Sequence, residues 1–217
     1  MRIIAGSSRG RPLRAPDGRS TRPTSDRVRE AVFDMLTSRG CFEQAEGSGE
    51  GPAVVDLFAG SGALGIEALS RGSRSAIFVD SDPRAVATII SNLVSAGLAE
   101  SGPPARAAAG RASTRLGRAR VERADVGRWV AGPGVTDLAS ADLVFADPPY
   151  SFDGWPALLA TVAASGFTGL AILEVGDAVD PGDGWDVVKS RTYGTTVVQL
   201  VRPAVLAGLP IERKGVV

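Results

Sequence analysis

Four apolar runs in this chain each stop at an aspartate. Asp56 follows Val54-Val55, Asp80 follows Ile77-Phe78-Val79, Asp125 follows the stretch around Val121, and Asp147 follows Leu143-Val144-Phe145-Ala146. The runs are apolar throughout rather than alternating, as in strands buried on both faces. Helical stretches lie between and after them, at about Ala63 to Arg71, Pro83 to Ala96 and Trp155 to Ala164. Strands alternating with helices form a parallel sheet covered on both sides. Parallel strands all end at one edge, so the four carboxylates are expected together where open α/β sheets bind ligands. A further strand is expected over Leu170 to Val175. Asp186 to Thr192 and Thr195 to Arg202, either side of Gly194, read as an antiparallel hairpin. The fold class is therefore α/β, Rossmann-like, with a mostly parallel sheet and a C-terminal antiparallel hairpin.

The 217 residues suffice for one main fold. Residues 1–45 read as a basic arm followed by a helix, and 46–217 as the main domain. Eight arginines (Arg2, Arg9, Arg11, Arg14, Arg19, Arg22, Arg27, Arg29) crowd the first thirty residues of a chain whose formal net charge is zero. Short apolar patches at Ile3, Ile4 and Leu13 between glycines and prolines predict a small β-hairpin or extended arm. Val28, Val32, Met35 and Leu36 then recur at helical spacing, with Thr24 as N-cap and Gly40 at the end. Glu46 to Gly51 reads as a flexible connection. Residues 99–118, rich in Ala, Gly, Pro and Arg, read as a mobile surface insertion. A single cysteine, Cys41, and the absence of histidine exclude an internal disulfide and the commonest metal ligand sets, so no metal is expected. No apolar run approaches the roughly 18 residues that span a bilayer; a soluble, cytoplasmic protein without membrane contact is the expectation.

Between Asp56 and the first helix of the main domain lies Leu57-Phe58-Ala59-Gly60-Ser61-Gly62-Ala63-Leu64-Gly65. Its Gly-x-Gly-x-x-Gly spacing matches a dinucleotide fingerprint, which keeps a nicotinamide-dependent oxidoreductase open as a reading. A pyrophosphate, however, wants backbone N–H groups with no carboxylate beside them, and Asp56 stands beside this turn. S-adenosylmethionine carries a sulfonium and an ammonium and no phosphate, so it suits the acid. Asp80 is placed to accept from ribose hydroxyls, and Asp125 from the adenine amine.

Asp147-Pro148-Pro149-Tyr150 follows an apolar strand. Two prolines fix φ and remove two donors, leaving the Asp147 carboxylate and the Pro148 carbonyl as a rigid acceptor pair for the two N–H groups of an exocyclic base amine. Drawing both hydrogens to fixed acceptors aims the nitrogen lone pair at a methyl donor, a task of positioning and electrostatics. Tyr150 is placed to stack on the base. Guanine N2, adenine N6 and cytosine N4 all fit this motif.

The chain resembles the RsmD family of bacterial 16S ribosomal RNA guanine-N2 methyltransferases, the enzymes for guanine 966. The resemblance rests on Met1-Arg2-Ile3-Ile4, Arg9-Gly10-Arg11, the specific block Arg22-Pro23-Thr24-Ser25-Asp26-Arg27-Val28-Arg29-Glu30, Asp56 through Leu69, and Asp147 through Tyr150. It implies a class I methyltransferase fold with a seven-stranded sheet and an N-terminal hairpin and helix. It implies S-adenosylmethionine against Asp56, Phe58, Ala59, Gly60, Ser61, Gly62, Asp80, Ser81, Asp125 and Val126, and catalysis at Asp147, Pro148, Pro149 and Tyr150. It also implies a 16S RNA partner, within the 30S subunit or an assembly intermediate, with Arg9, Arg11, Arg22 and Arg27 as candidates for its phosphates. Asp80 stands where the family often has Glu, and the 99–118 insertion has no obvious counterpart. An adenine-N6 methyltransferase acting on RNA or DNA and a non-catalytic RNA-binding assembly factor are the remaining alternatives. No target-recognition region of the size DNA enzymes carry fits here, which favours a folded RNA read by its shape.

Overall fold

The computed structural model describes residues 1–16, 26–43, 50–99 and 113–204. Eight strands form one sheet in the order β3-β4-β2-β1-β5-β6-β8-β7: β1 Gly51–Leu57, β2 Ser73–Asp80, β3 Ser113–Leu116, β4 Ala119–Arg123, β5 Leu143–Ala146, β6 Leu170–Val175, β7 Trp185–Tyr193 and β8 Thr196–Pro203. Strands β4, β2, β1, β5 and β6 run parallel, while β8, β7 and β3 pair antiparallel. The chain leaves β1 towards β2 and β4, then returns through β5 to β6 on the other side. The switch point therefore lies between β1 and β5, which carry the glycine loop and the Asp-Pro-Pro-Tyr turn. The seven expected strands and the α/β class are present. Strand β3 is an eighth, paired to β4 from inside the expected insertion; residues 100–112 of that insertion lie outside the described residues, as do 46–49 of the expected connection and the Thr24 N-cap.

Alternate residues of each central strand face opposite sides. Val54, Phe78, Phe145 and Ile172 join one buried cluster, with α1 (Asp26–Thr37), α2 (Ala63–Ser70) and α3 (Pro83–Ser95). Val55, Val79, Val144 and Leu173 join the other, with α4 (Val126–Val130), α5 (Val135–Ala139) and α6 (Trp155–Ala164). The sequence reading missed α4 and α5; at five residues each they are too short for periodicity to register.

The N-terminal arm makes a tight turn with a single antiparallel bridge, Arg2 to Pro12, and Ile3 and Leu13 enter the first cluster. Its backbone is held from the body. Glu67 of α2, fully buried, accepts from Ile4 N at 2.8 Å, Ala5 N at 3.0 Å and Arg71 Nε at 2.9 Å. Arg29 of α1, also fully buried, places Nε 3.8 Å from Glu67 Oε2 and donates through Nη2 to Asp26 and to the Arg2 carbonyl. Asn92 of α3 accepts from Arg14 N and donates to the Arg14 and Ser61 carbonyls, joining the arm to the glycine loop. Removing one member of a buried ion pair leaves the other uncompensated, at about 3–5 kcal/mol. Glu67→Ala is therefore expected to lower unfolding free energy by about that amount in urea titration, with the arm's backbone amides losing hydrogen-exchange protection.

Candidate active site

The register across the sheet sets out the site. Leu57 pairs with Val79 and with Ala146, and Ala146 pairs with Leu173. One step further, Asp80, Phe58, Asp147 and Glu174 form a row across four neighbouring strand ends, each about 4.8 Å from the next. Asp56 lies two residues before Phe58, on the face of the sheet that Asp80, Asp147 and Glu174 share, while the Phe58 ring turns to the other cluster. Glu174 was missed in the sequence, although it obeys the same rule as the other acids: an apolar run, Leu170-Ala171-Ile172-Leu173, ending at a carboxylate.

The loop after β1 is built from unusual backbone. Phe58, Gly60 and Gly62 have φ of 57°, 56° and 76°. For a phenylalanine this left-handed conformation costs of order 1–2 kcal/mol, and the ring's packing offsets it: Phe58 meets Phe152 edge-on at 5.1 Å, and Phe152 meets Trp155 at 5.4 Å. The loop is tied to β2 through Ala59 N to the Val79 carbonyl and Gly60 N to Asp80 Oδ2, at 3.1 and 2.9 Å. Asp80 Oδ1 accepts from Asp82 N at 2.9 Å. Each Asp80 oxygen thus already holds one backbone N–H and offers its remaining lone pair outward. Asp125 caps α4, its Oδ1 accepting from Arg128 N at 3.0 Å.

A cavity of about 600 Å³ opens over this edge. Asp56, Phe58, Ala59, Gly60, Ser61, Asp80, Ser81, Asp125, Val126 and Asp147 through Tyr150 all line it, joined by Met1, Ala15, Pro16, Ala63, Leu64 and Glu174. Gly62 lies behind this lining, buried, where a side chain would meet Ile89 and Ile66 at 3.2 and 3.3 Å. The third glycine of the fingerprint, Gly65, is a packing glycine: an added Cβ would stand 2.4 Å from the Phe78 ring. Five acids line the cavity, and among the described residues no arginine or lysine does. A pyrophosphate meets mostly carboxylates there; a positively charged, donor-rich ligand finds acceptors on several sides.

The Pro-Pro-Tyr turn forms a wall between this cavity and a second of about 770 Å³; Pro148, Pro149, Tyr150 and Glu174 line both. Pro149's carbonyl accepts from Phe152 N at 2.8 Å and is used up inside the turn. Tyr150 is 55% exposed, yet its hydroxyl is held by Thr196 Oγ1 at 2.8 Å. An exposed ring braced in this way presents a fixed aromatic face.

Of the candidate arginines, Arg9, Arg11 and Arg27 are exposed and outside the cavity lining; Arg22 lies outside the described residues. Arg11 also donates to the Ser95 carbonyl at the end of α3, 3.1 Å away. Arg14, exposed and passed over in the sequence, sits just before Ala15 and Pro16 at the cavity. Cys41 is half-buried and burial pushes its thiol up, which makes it a poor nucleophile.

Residues 1–202 match the family described as conserved hypothetical protein 95. The chain is 52% identical over 93 residues to the putative rRNA methyltransferase YlbH of Bacillus subtilis, covering 43% of this chain and 46% of that one. It is 42% identical over 98 residues to ribosomal RNA small subunit methyltransferase D of Escherichia coli, covering 43% and 42%. These alignments span less than half the length of the curated relatives. The solved structure of the putative methyltransferase yhhF from Escherichia coli superposes with a TM-score of 0.69 at 27% identity, covering 94% of this chain and 97% of that one. The chain belongs to the matched family, the RsmD family that its motifs resemble.

Burial holds the Asp56 carboxyl well above its usual range, against the opposing hydrogen bond from Gly65 N at 2.9 Å; the charges of Asp147 and Asp80 push it further up. An acid raised in the folded state favours folding below its unfolded pKa and loses that contribution as pH climbs through the folded value. Asp56→Asn keeps an acceptor for Gly65 N and removes the titration. The melting temperature of the variant relative to the parent is expected to rise between pH 5 and pH 8, by about 2–4 °C per kcal/mol of penalty removed; a pH-independent difference would contradict the assignment.

Proposed function

We propose that this RsmD-family chain is an S-adenosylmethionine-dependent methyltransferase acting on the exocyclic N2 amine of a guanine in 16S ribosomal RNA. The carrying observation is the pair of cavities divided by Asp147-Pro148-Pro149-Tyr150: an acid-lined one for the cofactor and a neighbouring one for the base. The donor set fits the cofactor. Asp80 and Asp125 retain lone pairs for ribose and adenine donors, and a lining of five acids with no arginine or lysine among the described residues suits a cationic ligand better than a nicotinamide dinucleotide. When bound, the cofactor supplies an electrophilic methyl group on a sulfonium. The chain's own part is to hold the amine. The Asp147 carboxylate and the Pro148 carbonyl, on residues that line the acidic cavity, act as the acceptor pair for its two hydrogens. They turn the nitrogen lone pair towards the methyl group while Tyr150 supports the base from its exposed face. The hydrogen bonded to Asp147 is the one placed to leave as the N–C bond forms.

The names of the Bacillus and Escherichia relatives support ribosomal RNA as substrate, and the Escherichia name supports the small subunit. The family resemblance supports guanine 966, in the 30S particle or an assembly intermediate in the cytoplasm. Residues 1–45 then serve as an RNA-contacting extension on the catalytic domain formed by 46–217.

Methyl transfer to unmodified small subunits, read by nucleoside mass spectrometry, is expected to give N2-methylguanosine. Asp147→Ala should lower kcat by about 10²–10³-fold or more with calorimetric cofactor affinity unchanged; full activity in that variant, or tight NAD binding without S-adenosylmethionine binding, refutes the reading. Replacing Arg9, Arg22 and Arg27 together by alanine should weaken RNA binding. Its dependence on log salt should flatten by about 0.7–0.9 for each phosphate that is no longer neutralised, with cofactor affinity intact.

A further inference from the structure

We propose that Glu174 is the residue that selects guanine, its carboxylate accepting the N1–H beside the reacting N2 amine. The inference rests on the methyltransferase reading above and deepens it by naming what distinguishes the base. The Asp147 and Pro148 pair cannot do so, because any exocyclic amine satisfies it.

Three observations converge on Glu174. It stands next to Asp147 in the strand-end row, one strand over, about 4.8 Å away in the direction of the sheet hydrogen bonds. It lines both cavities, as only the Pro148-Pro149-Tyr150 wall does besides it among the described residues. It is 7% exposed, at the end of an otherwise apolar strand. The Tyr150 ring lies 3.5 Å from where a Gly176 Cβ would be, two residues along the chain from Glu174. The carboxylate and the stacking ring therefore border the same space.

The chemistry of the bases makes this position discriminating. In guanine one of the two ring nitrogens that flank the N2 amine, N1, carries a hydrogen. In adenine and cytosine the ring nitrogen next to the amine carries a lone pair. With the amine held by Asp147, a neighbouring carboxylate meets a donor in guanine and a second acceptor in the other two. A carboxylate has about four acceptor sites, so it can serve a base N–H alongside contacts within the protein. A site built to receive a particular N–H rejects the analogue lacking it far more strongly than a shape-matched apolar pocket does.

The test uses 2-aminopurine, which has the N2 amine and an unprotonated N1. Unmodified small-subunit RNA carrying guanine or 2-aminopurine at the target position is methylated by the full chain and by Glu174→Gln, with product identified by mass spectrometry. Wild type is expected to prefer guanine by about 10²-fold or more in kcat/KM. Glu174→Gln, whose amide can donate to an unprotonated N1, is expected to reduce that ratio at least about tenfold. Equal wild-type rates on the two bases overturn the proposal without recourse to any variant. A fall in Glu174→Gln that is equal for both bases shows a structural role and overturns it too. If wild type yields N2-methylguanosine in either case, the methyltransferase reading stands and the Glu174 assignment alone fails; N6-methyladenosine, or no product, removes both.

Discussion

Parallel pairing of β2, β1, β5 and β6 puts Asp80, Phe58, Asp147 and Glu174 in one row, and the site depends on that register. A one-residue slip of any of these strands would turn its terminal side chain to the opposite face. The core prevents the slip. Val54, Phe78, Phe145 and Ile172 must face α1, α2 and α3, while Val55, Val79, Val144 and Leu173 face the other helices. Burial of apolar area on both faces thus fixes the geometry of a polar edge that contributes little to stability itself.

That edge carries costs the rest of the molecule offsets. Asp56 is buried with its carboxyl raised, and Phe58 sits in left-handed backbone. Both are features that stability alone would remove, and both stand where charge and close backbone approach are needed. The Phe58-Phe152-Trp155 contacts and the hydrogen bonds from Ala59 and Gly60 to β2 supply the restraint. On the far side of the loop, Asn92 grips Ser61 and Arg14 together, so the basic arm and the glycine loop share one anchor. Met1, Ala15 and Pro16 consequently form part of the cavity, and the exposed Arg14 immediately precedes Ala15 in the chain.

Much of this was legible in the chain. Apolar runs ending in Asp mark the parallel strands and their polar edge, because a doubly buried strand has little choice of residue type along its length. Helical spacing marks α1, α2, α3 and α6 through the faces they bury. The five-residue α4 and α5 were not legible, since fewer than two turns carry no period; strand β3 was hidden by the low-complexity composition around it. Among the site residues, Gly62 and Gly65 look alike to a motif, but their neighbours Ile89 and Phe78 make both of them packing positions.

The fold class, the acids at the strand ends and the Asp-Pro-Pro-Tyr acceptor turn were fixed by sequence, since each follows from local composition and backbone restriction. Tertiary structure was needed to decide which acids share a row, that Glu174 joins them, and that the acid-lined cavity and its neighbour meet at one wall. It also decided that Arg29 is a buried anchor for the arm and not a surface cation. These are properties of pairing between segments distant in the chain. They arise from register and helix docking, which the burial of both sheet faces sets.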